Sequence, residues 1–253
     1  MSFVLPPGHF YHDDYNELLD YFRYAFNLGW CNSNDDKADK DRNRDDAPYA
    51  NDPDFDQRTF IYTYQSIGLT VQGIHRPYIA RILHHTADQG PVKVIDIGSG
   101  GGQTGLALHT LGFDVSFADI YSESAKFLAW RLYQRRLNRP IYLLNLSDTE
   151  IPFHDVVTCF DVMEHLNPAV QLDTIDKCAS VGNNVFMNLI RTDLGGGGIK
   201  NVHKNVSVEQ LTDYIYSKWP SMSYEDFYPN DDGIYRQRLV VYGSGVKRIE
   251  KRR

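Results

Sequence analysis

One stretch limits the architecture more than any other: Val94-Ile-Asp96-Ile-Gly98-Ser-Gly100-Gly-Gly102-Gln-Thr-Gly105, an apolar strand-like run that enters glycines and then a helical pattern. Glycines lack Cβ atoms, so they permit a tight strand-to-helix turn and let a ligand come close to the backbone. The chain beyond continues the same alternation. Residues 92–97, 115–118, 141–144, 156–160 and 184–190 read as strands, and 104–111, 122–137, 168–181 and 206–218 as helices. Short apolar runs separated by amphipathic helices predict βαβ units and a parallel sheet covered on both faces. Two more strand-like runs, 222–227 and 236–242, flank the turn Pro229-Asn-Asp-Asp-Gly233 and predict an antiparallel hairpin closing the sheet. The expected fold is α/β, a doubly wound, mainly parallel seven-stranded sheet with an antiparallel C-terminal hairpin.

The N-terminal side differs in character. Residues 15–28 place Leu18, Tyr21, Phe22 and Ala25 on one helical face, read first as a packing surface that lays this arm on the main body and alternatively as an aromatic substrate wall. Residues 32–57 contain almost nothing to bury. Within them Asp39-x-Asp41-x-Asn43-x-Asp45 has the look of a calcium loop, but it lacks the sixth-position glycine and has Ala50 where a bidentate Glu belongs. A solvated mobile loop is expected instead. From Arg58 to His85 the pattern is helical, with Ile74, Tyr78, Ile79, Ile82 and Leu83 on one face and Pro77 early. The organisation is thus an arm and acidic loop at 1–57, a main domain at 58–245 and a basic tail at 246–253.

Charge and cysteine content narrow the function classes. Lys and Arg number 26 against 33 Asp and Glu, a net charge of −7 that argues against binding nucleic acid mainly through phosphate charge. The three cysteines, Cys31, Cys159 and Cys178, are widely spaced and form no CxxC pair, so a reducing compartment is expected. The N-terminus lacks a basic region followed by a long apolar run, so no secretory signal is expected. No apolar run approaches the roughly 20 residues of a membrane helix. The expectation is a cytoplasmic protein with no membrane association.

Two ligands compete for the glycine turn. In one register, Gly100-x-Gly102-x-x-Gly105 would hold a dinucleotide pyrophosphate at a helix N-terminus, with Asp119 taking a ribose hydroxyl. In the other, Asp96-x-Gly98-x-Gly100-x-Gly102 resembles motif I of the class I (Rossmann-like) S-adenosylmethionine-dependent methyltransferases, an acidic residue followed by Gly-x-Gly-x-Gly. S-adenosylmethionine has no phosphate but carries an amino group and a sulfonium. An acidic side chain two residues before the first glycine suits such a cation and repels a pyrophosphate. Three later segments extend the resemblance, which covers about residues 70–245. They are Val115-Ser-Phe-Ala-Asp119, Asn145-Leu-Ser-Asp148-Thr-Glu-Ile-Pro152-Phe153, and Asp155-Val-Val-Thr-Cys-Phe160-Asp161-Val-Met-Glu164-His165-Leu166.

The resemblance implies S-adenosylmethionine as cofactor and S-adenosylhomocysteine as product. It implies that Asp96, Gly98, Ser99, Gly100 and Gly102 line the cofactor, with Asp119 on the ribose hydroxyls and Ile120 beside it. Ser147 or Asp148 would meet the adenine amino group, and Phe160 and Asp161 would complete the site. Methyl transfer is an in-line displacement at an activated carbon, so the protein must align an acceptor about 3 Å from the methyl, exclude water and take a proton where needed. A covalent enzyme intermediate is not expected.

His165, after the fourth strand, and His203, in Asn201-Val-His203-Lys-Asn-Val-Ser207, compete as the base, the alternative for each being a structural residue, for His165 one that fixes the loop through a backbone hydrogen bond. Ser207 is placed as an N-cap with Gln210 completing a capping box. His154 is read as a surface residue on the turn before the fourth strand. Glu164 and His165 lack a further acidic or His cluster that would make a metal site. The glycine run 195–198 reads as flexibility or as a hinge, and Tyr62 and Tyr64 as packing residues that could face the acceptor. Asp161-Val-Met-Glu164 stands where an adenine-modifying DNA methyltransferase would carry Asp/Asn-Pro-Pro-aromatic, and no Pro-Cys dipeptide is present. A small-molecule acceptor is expected and no nucleic acid partner. The alternatives are an NAD-dependent oxidoreductase and a non-catalytic S-adenosylmethionine-binding module.

Overall fold

The computed structural model describes residues 17, 20, 21, 75–144, 149–191, 206–229 and 235–246. In chain order these form α1 (Arg76–Thr86), β1 (Lys93–Ile97), α2 (Gln103–Thr110), β2 (Asp114–Asp119), α3 (Glu123–Gln134), β3 (Ile141–Leu143) and β4 (His154–Cys159). A 3-10 turn (Met163–His165), α4 (Pro168–Ser180), β5 (Gly182–Ile190), α5 (Val208–Lys218), β6 (Ser223–Pro229) and β7 (Tyr235–Tyr242) follow. The strands hydrogen-bond in the order β3-β2-β1-β4-β5-β7-β6. This is the expected sheet of seven strands, mostly parallel, with the last two antiparallel.

The described residues fall in two compact units, one within 1–90 and 99–149, the other within 91–98 and 150–253. In the first, β2 pairs with β3 in parallel, with Ala118 opposite Tyr142. Ser122 caps α3 by accepting the Ala125 N–H at 3.2 Å, and Ala125, Phe127, Leu128 and Leu132 make its buried face. Pro77 sits in the first turn of α1, where a missing N–H costs no helical hydrogen bond. His75, just before α1, pairs its Nδ1 with Thr104 Oγ1 of α2 at 2.8 Å. Tyr21 of the N-terminal arm is only 1% exposed and packs on Phe127 and Trp130 of α3. It therefore does the packing its helical face predicts, whereas Leu18, Phe22 and Ala25 lie outside the described residues.

In the second unit, β1 pairs with β4 and β4 with β5, both in parallel. Successive residues Val156, Val157, Thr158 and Cys159 are all fully buried, so both faces of β4 are covered, as parallel strands require. Asn167 caps α4, and α5 begins with the expected capping box between Ser207 and Gln210. The order of strands reverses between β1 and β4, and in open α/β sheets such a switch point marks where ligands bind, beyond the carboxyl ends of the strands. One expectation is corrected. His154 is not a surface turn residue but the first residue of β4, 5% exposed, with its N–H donated to Val181 O at 2.9 Å just ahead of β5. Among the described residues, no helix is long and apolar enough to cross a membrane.

Candidate functional site

Beyond Ile97 the backbone turns left-handed at alternate residues: Gly98 (φ 68°), Gly100 (φ 53°) and Gly102 (φ 80°). Gly98 is also sterically compelled, because a Cβ there would overlap Val162 Cγ2. Gly100 meets no such neighbour. Among the described residues, nothing lies within 4 Å of a Cβ placed there, so none of them closes that face of the loop.

In the unit holding residues 99–149, the loop is gripped through its backbone. Gly100 N–H donates to Asp119 Oδ2 at 2.5 Å, and Ile120 N–H to Asp119 Oδ1 at 2.7 Å. Ser99 N–H bonds Ala118 O at 3.2 Å, and Gly102 N–H bonds Ser99 O at 2.7 Å. Arg131 of α3 donates Nη1 to Gly101 O at 2.5 Å. Ser99 is 7% exposed, and its buried Oγ has no hydrogen-bond partner among the described residues. A buried hydroxyl without a partner costs free energy unless a ligand or water meets it.

In the unit holding residues 91–98 and 150–253, Asp96 is 3% exposed and accepts Thr158 Oγ1–H at 2.6 Å from β4. Phe160, just past β4, is buried. Asp161 has φ 55°, rare for a residue with a side chain. Asn188 of β5 holds it there reciprocally: Asp161 N–H donates to Asn188 Oδ1 at 2.7 Å, and Asn188 Nδ2 donates to Asp161 Oδ1 at 2.6 Å. The 3-10 turn that follows is clasped by Gln171 of α4, whose Nε2 donates to Met163 O at 2.7 Å and Leu166 O at 3.3 Å. The turn carries Glu164, with its side chain 3% exposed, and His165, with its side chain 25% exposed.

Burial and the neighbouring Asp161 charge push the Glu164 carboxyl well above the usual carboxylate range. His165 Nε2 lies 3.7 Å from Glu164 Oε1, beyond hydrogen-bond length. Glu164 Oε2 has no hydrogen-bond partner among the described residues. A carboxyl whose folded pKa exceeds its unfolded value binds its proton more tightly in the folded state. Its contribution is therefore most favourable below the ordinary value of 4.5 and is lost as pH rises from there to the raised folded value. Glu164→Gln removes the ionisation while keeping the shape. Its melting temperature is expected to gain on the parent's progressively as pH rises above 4.5. Melts across a pH series check this, and parallel curves for the two proteins would show that Glu164 does not titrate there.

Cys159 adjoins the same turn at the end of β4 but is no nucleophile. A hydrogen bond with Cys178, reinforced by burial, pushes its thiol well above the ordinary range, so it stays protonated. Among the described residues, no group of three or more His, Cys, Asp or Glu is placed to hold a metal ion. An open hollow of about 300 Å³ between α5 and the β6–β7 hairpin, lined by Thr212, Tyr216, Tyr224 and Arg238 among others, includes no residue of the glycine loop or the turn after β4.

The structure thus joins Gly100, Asp119 and Ile120 in one cluster, and Asp96, Gly98 and the turn after β4 in the other. Ser147, Asp148, His203, Tyr62, Tyr64 and the glycine run 195–198 lie outside the described residues. Sequence reasoning missed four residues that hold the clusters in shape: Thr158, Asn188, Gln171 and Arg131. Arg131 did leave a trace, being the one charged residue on the buried face of α3.

No family model matches the sequence. Among curated proteins, a ubiquinone biosynthesis O-methyltransferase of Psychrobacter cryohalolentis is 28% identical over 127 residues, covering 47% of this chain and 49% of that protein. The chain spans about half the length of the curated relatives it matches. Among solved structures, the magnesium protoporphyrin IX methyltransferase of Synechocystis with bound S-adenosylmethionine aligns with a TM-score of 0.53 at 15% identity, over 85% of this chain and 99% of that one. A SAM-dependent methyltransferase from Archaeoglobus fulgidus aligns with a TM-score of 0.53 at 16% identity, over 68% of this chain and 92% of that one.

Proposed function

We propose that this chain, whose fold is that of the class I S-adenosylmethionine-dependent methyltransferases, transfers a methyl group to a small-molecule acceptor. The observation that carries this reading is the loop itself: left-handed glycines at 98, 100 and 102 directly after β1, with the Gly100 N–H on the Asp119 carboxylate. β1 ends at Ile97, so a dinucleotide register starting at Gly100 would begin two residues too late. The residues present fit the cofactor. Among the described residues the buried Ser99 hydroxyl has no partner and nothing closes the Gly100 face, and Asp119 offers acceptor oxygens suited to ribose hydroxyls.

In this reading the cofactor would supply a methyl activated on a sulfonium, its C–S bond breaking as an acceptor lone pair bonds the methyl carbon, with S-adenosylhomocysteine as the leaving group. Gly98, Ser99, Gly100, Gly102, Asp119 and Ile120 hold it, with Asp96, Phe160, Asp161 and, from the sequence resemblance, Ser147 and Asp148. The protein's own work is alignment, exclusion of water and proton removal. His165, partly exposed on a turn clasped by Gln171, is the described candidate for the base, and His203 the sequence candidate. A hydroxyl acceptor is the first class to test, since the curated relatives are named O-methyltransferases and a hydroxyl must shed a proton. The net charge of −7 speaks for a small acceptor over a polyanion.

Calorimetric titration tests the reading: S-adenosylhomocysteine is expected to bind and NAD not to. Transfer of label from S-adenosylmethionine to hydroxylated small molecules separates an enzyme from a module that binds without turnover. Once an acceptor is in hand, His165→Ala is expected to lower kcat by about 10²–10⁴-fold, the range of general base catalysis, with little change in S-adenosylhomocysteine affinity. Full turnover in that variant would leave His165 a structural residue.

A further inference from the structure

The only charged side chain on the buried face of α3 is that of Arg131, and it is completely buried. Burying a guanidinium is costly, so the groups around it repay inspection. Its Nη1 holds the carbonyl of Gly101 in the glycine loop at 2.5 Å, and its Nε donates to Glu17 Oε2 of the N-terminal arm at 2.7 Å. One turn along the helix, Arg135 donates to the same carboxylate, Nε to Oε1 at 2.7 Å and Nη2 to Oε2 at 2.8 Å. The two guanidinium groups hold the Glu17 carboxyl below the usual carboxylate range despite its partial burial. One helical turn beyond Glu17, Tyr21 packs on Phe127 and Trp130, so arm and α3 touch in antiparallel sense. Phe127 also lies beneath Gly101, where an added Cβ would come within 3.1 Å of its ring.

These contacts define the loop's geometry from two sides. Asp119 holds the Gly100 N–H, and Arg131 holds the carbonyl one residue on. Together they fix the Ser99–Gly100 and Gly101–Gly102 peptide planes, the second being the one whose Gly102 N–H returns to Ser99 O. A glycine-rich loop has much conformational freedom to lose on binding a ligand. A guanidinium that fixes it beforehand raises affinity without touching the ligand. Arg131 is itself oriented by Glu17.

We propose that Arg131 is a positioning residue for the cofactor loop and that the N-terminal arm acts on cofactor affinity through it, by way of Glu17. This rests on the proposed cofactor reading and adds a reciprocal linkage: what strengthens arm docking strengthens cofactor binding, and the converse. Arg131→Lys keeps the charge but cannot span Glu17 and Gly101 together, because an ammonium is a point donor and not a planar fork. Glu17→Ala removes the orienting carboxylate from a side chain that is 19% exposed.

The experiment is calorimetric titration of the full chain with S-adenosylhomocysteine, with amide exchange at Gly102 measured in the absence of ligand. Each variant is expected to raise the Kd about tenfold, and the double variant to lose little more than the worse single one, because both act on one relay. Exchange at the Gly102 amide is expected to quicken about tenfold in both variants as the local opening free energy falls. Unchanged Kd and exchange in folded Glu17→Ala, or a lowered melting temperature alone, would overturn the proposal. So would additive losses in the double variant. A parent protein that fails to bind S-adenosylhomocysteine sinks the cofactor reading instead. The Arg131 hold then stands or falls on the exchange measurement.

Discussion

Replacing Gly98 by alanine is expected to destabilise the folded protein by about 2–5 kcal/mol, the sum of a left-handed backbone term of about 1–2 and an overpacking term of about 1–3. The first follows from φ 68°, which a residue with Cβ adopts only at a cost. The second follows from Val162, whose Cγ2 occupies the place of the new methyl. Val162 has little room to yield. It is β-branched and stiff at χ1, and it sits between Asp161, locked left-handed by Asn188, and the turn clasped by Gln171. Gly100→Ala is the informative companion. It carries the same backbone term, since φ is 53°, but its methyl meets no described residue within 4 Å. Its stability loss is expected to stop at about 1–2 kcal/mol, while its methyl intrudes on the face offered to the ligand. Urea unfolding midpoints and S-adenosylhomocysteine titrations of the two variants separate the glycine that the fold needs from the one that the ligand needs. If Gly98→Ala unfolds at the parent's midpoint, the steric account of this turn is wrong.

Most of the sheet was legible because its information is local. A short apolar run bounded by turn residues names a buried strand, and a Ser three residues ahead of Gln names a helix start. Hence β1, β2, β4, β5 and the α5 capping box stand where the sequence puts them, with ends differing by a residue or two. What escaped was the long-range pairing. Arg131 looks like any cation on an amphipathic helix, and its partner Glu17 is 114 residues away. Thr158 is an ordinary strand residue until β1 places Asp96 beside it, 62 residues earlier in the chain. His154 was misplaced for the same reason: its burial depends on the neighbouring start of β5, which no feature near residue 154 announces. Glu164 carries no local sign that its carboxyl is sealed from water. Spacing named the motif but could not tell which of its members touch solvent.

Asp119 is where the local motif and the long-range structure meet, and its removal should be felt in both. The carboxylate ends β2 and accepts two backbone N–H groups, those of Gly100 and Ile120. Such charge-assisted bonds are stronger than neutral ones, and a carboxylate with about four lone-pair sites can accept further donors besides. Asp119→Ala strands both N–H groups and removes the acceptor proposed for the ligand's hydroxyls. S-adenosylhomocysteine affinity is therefore expected to fall by about 1–3 kcal/mol, with a stability loss of similar size. Asp119→Asn decides between roles. If the residue were merely a surface charge at a strand end, the amide would substitute without loss. If it is the loop's anchor, the amide can present an oxygen to only one of the two N–H groups and turns a donor toward the other. Asp119→Asn is thus expected to lose affinity nearly as far as the alanine variant, although it is close to isosteric. Calorimetry on the three proteins gives the ranking, with thermal melts reporting whether the loop loosens before any ligand is added. Parent-like affinity in the asparagine variant would remove Asp119 from the anchor and return the glycine loop to Arg131 alone.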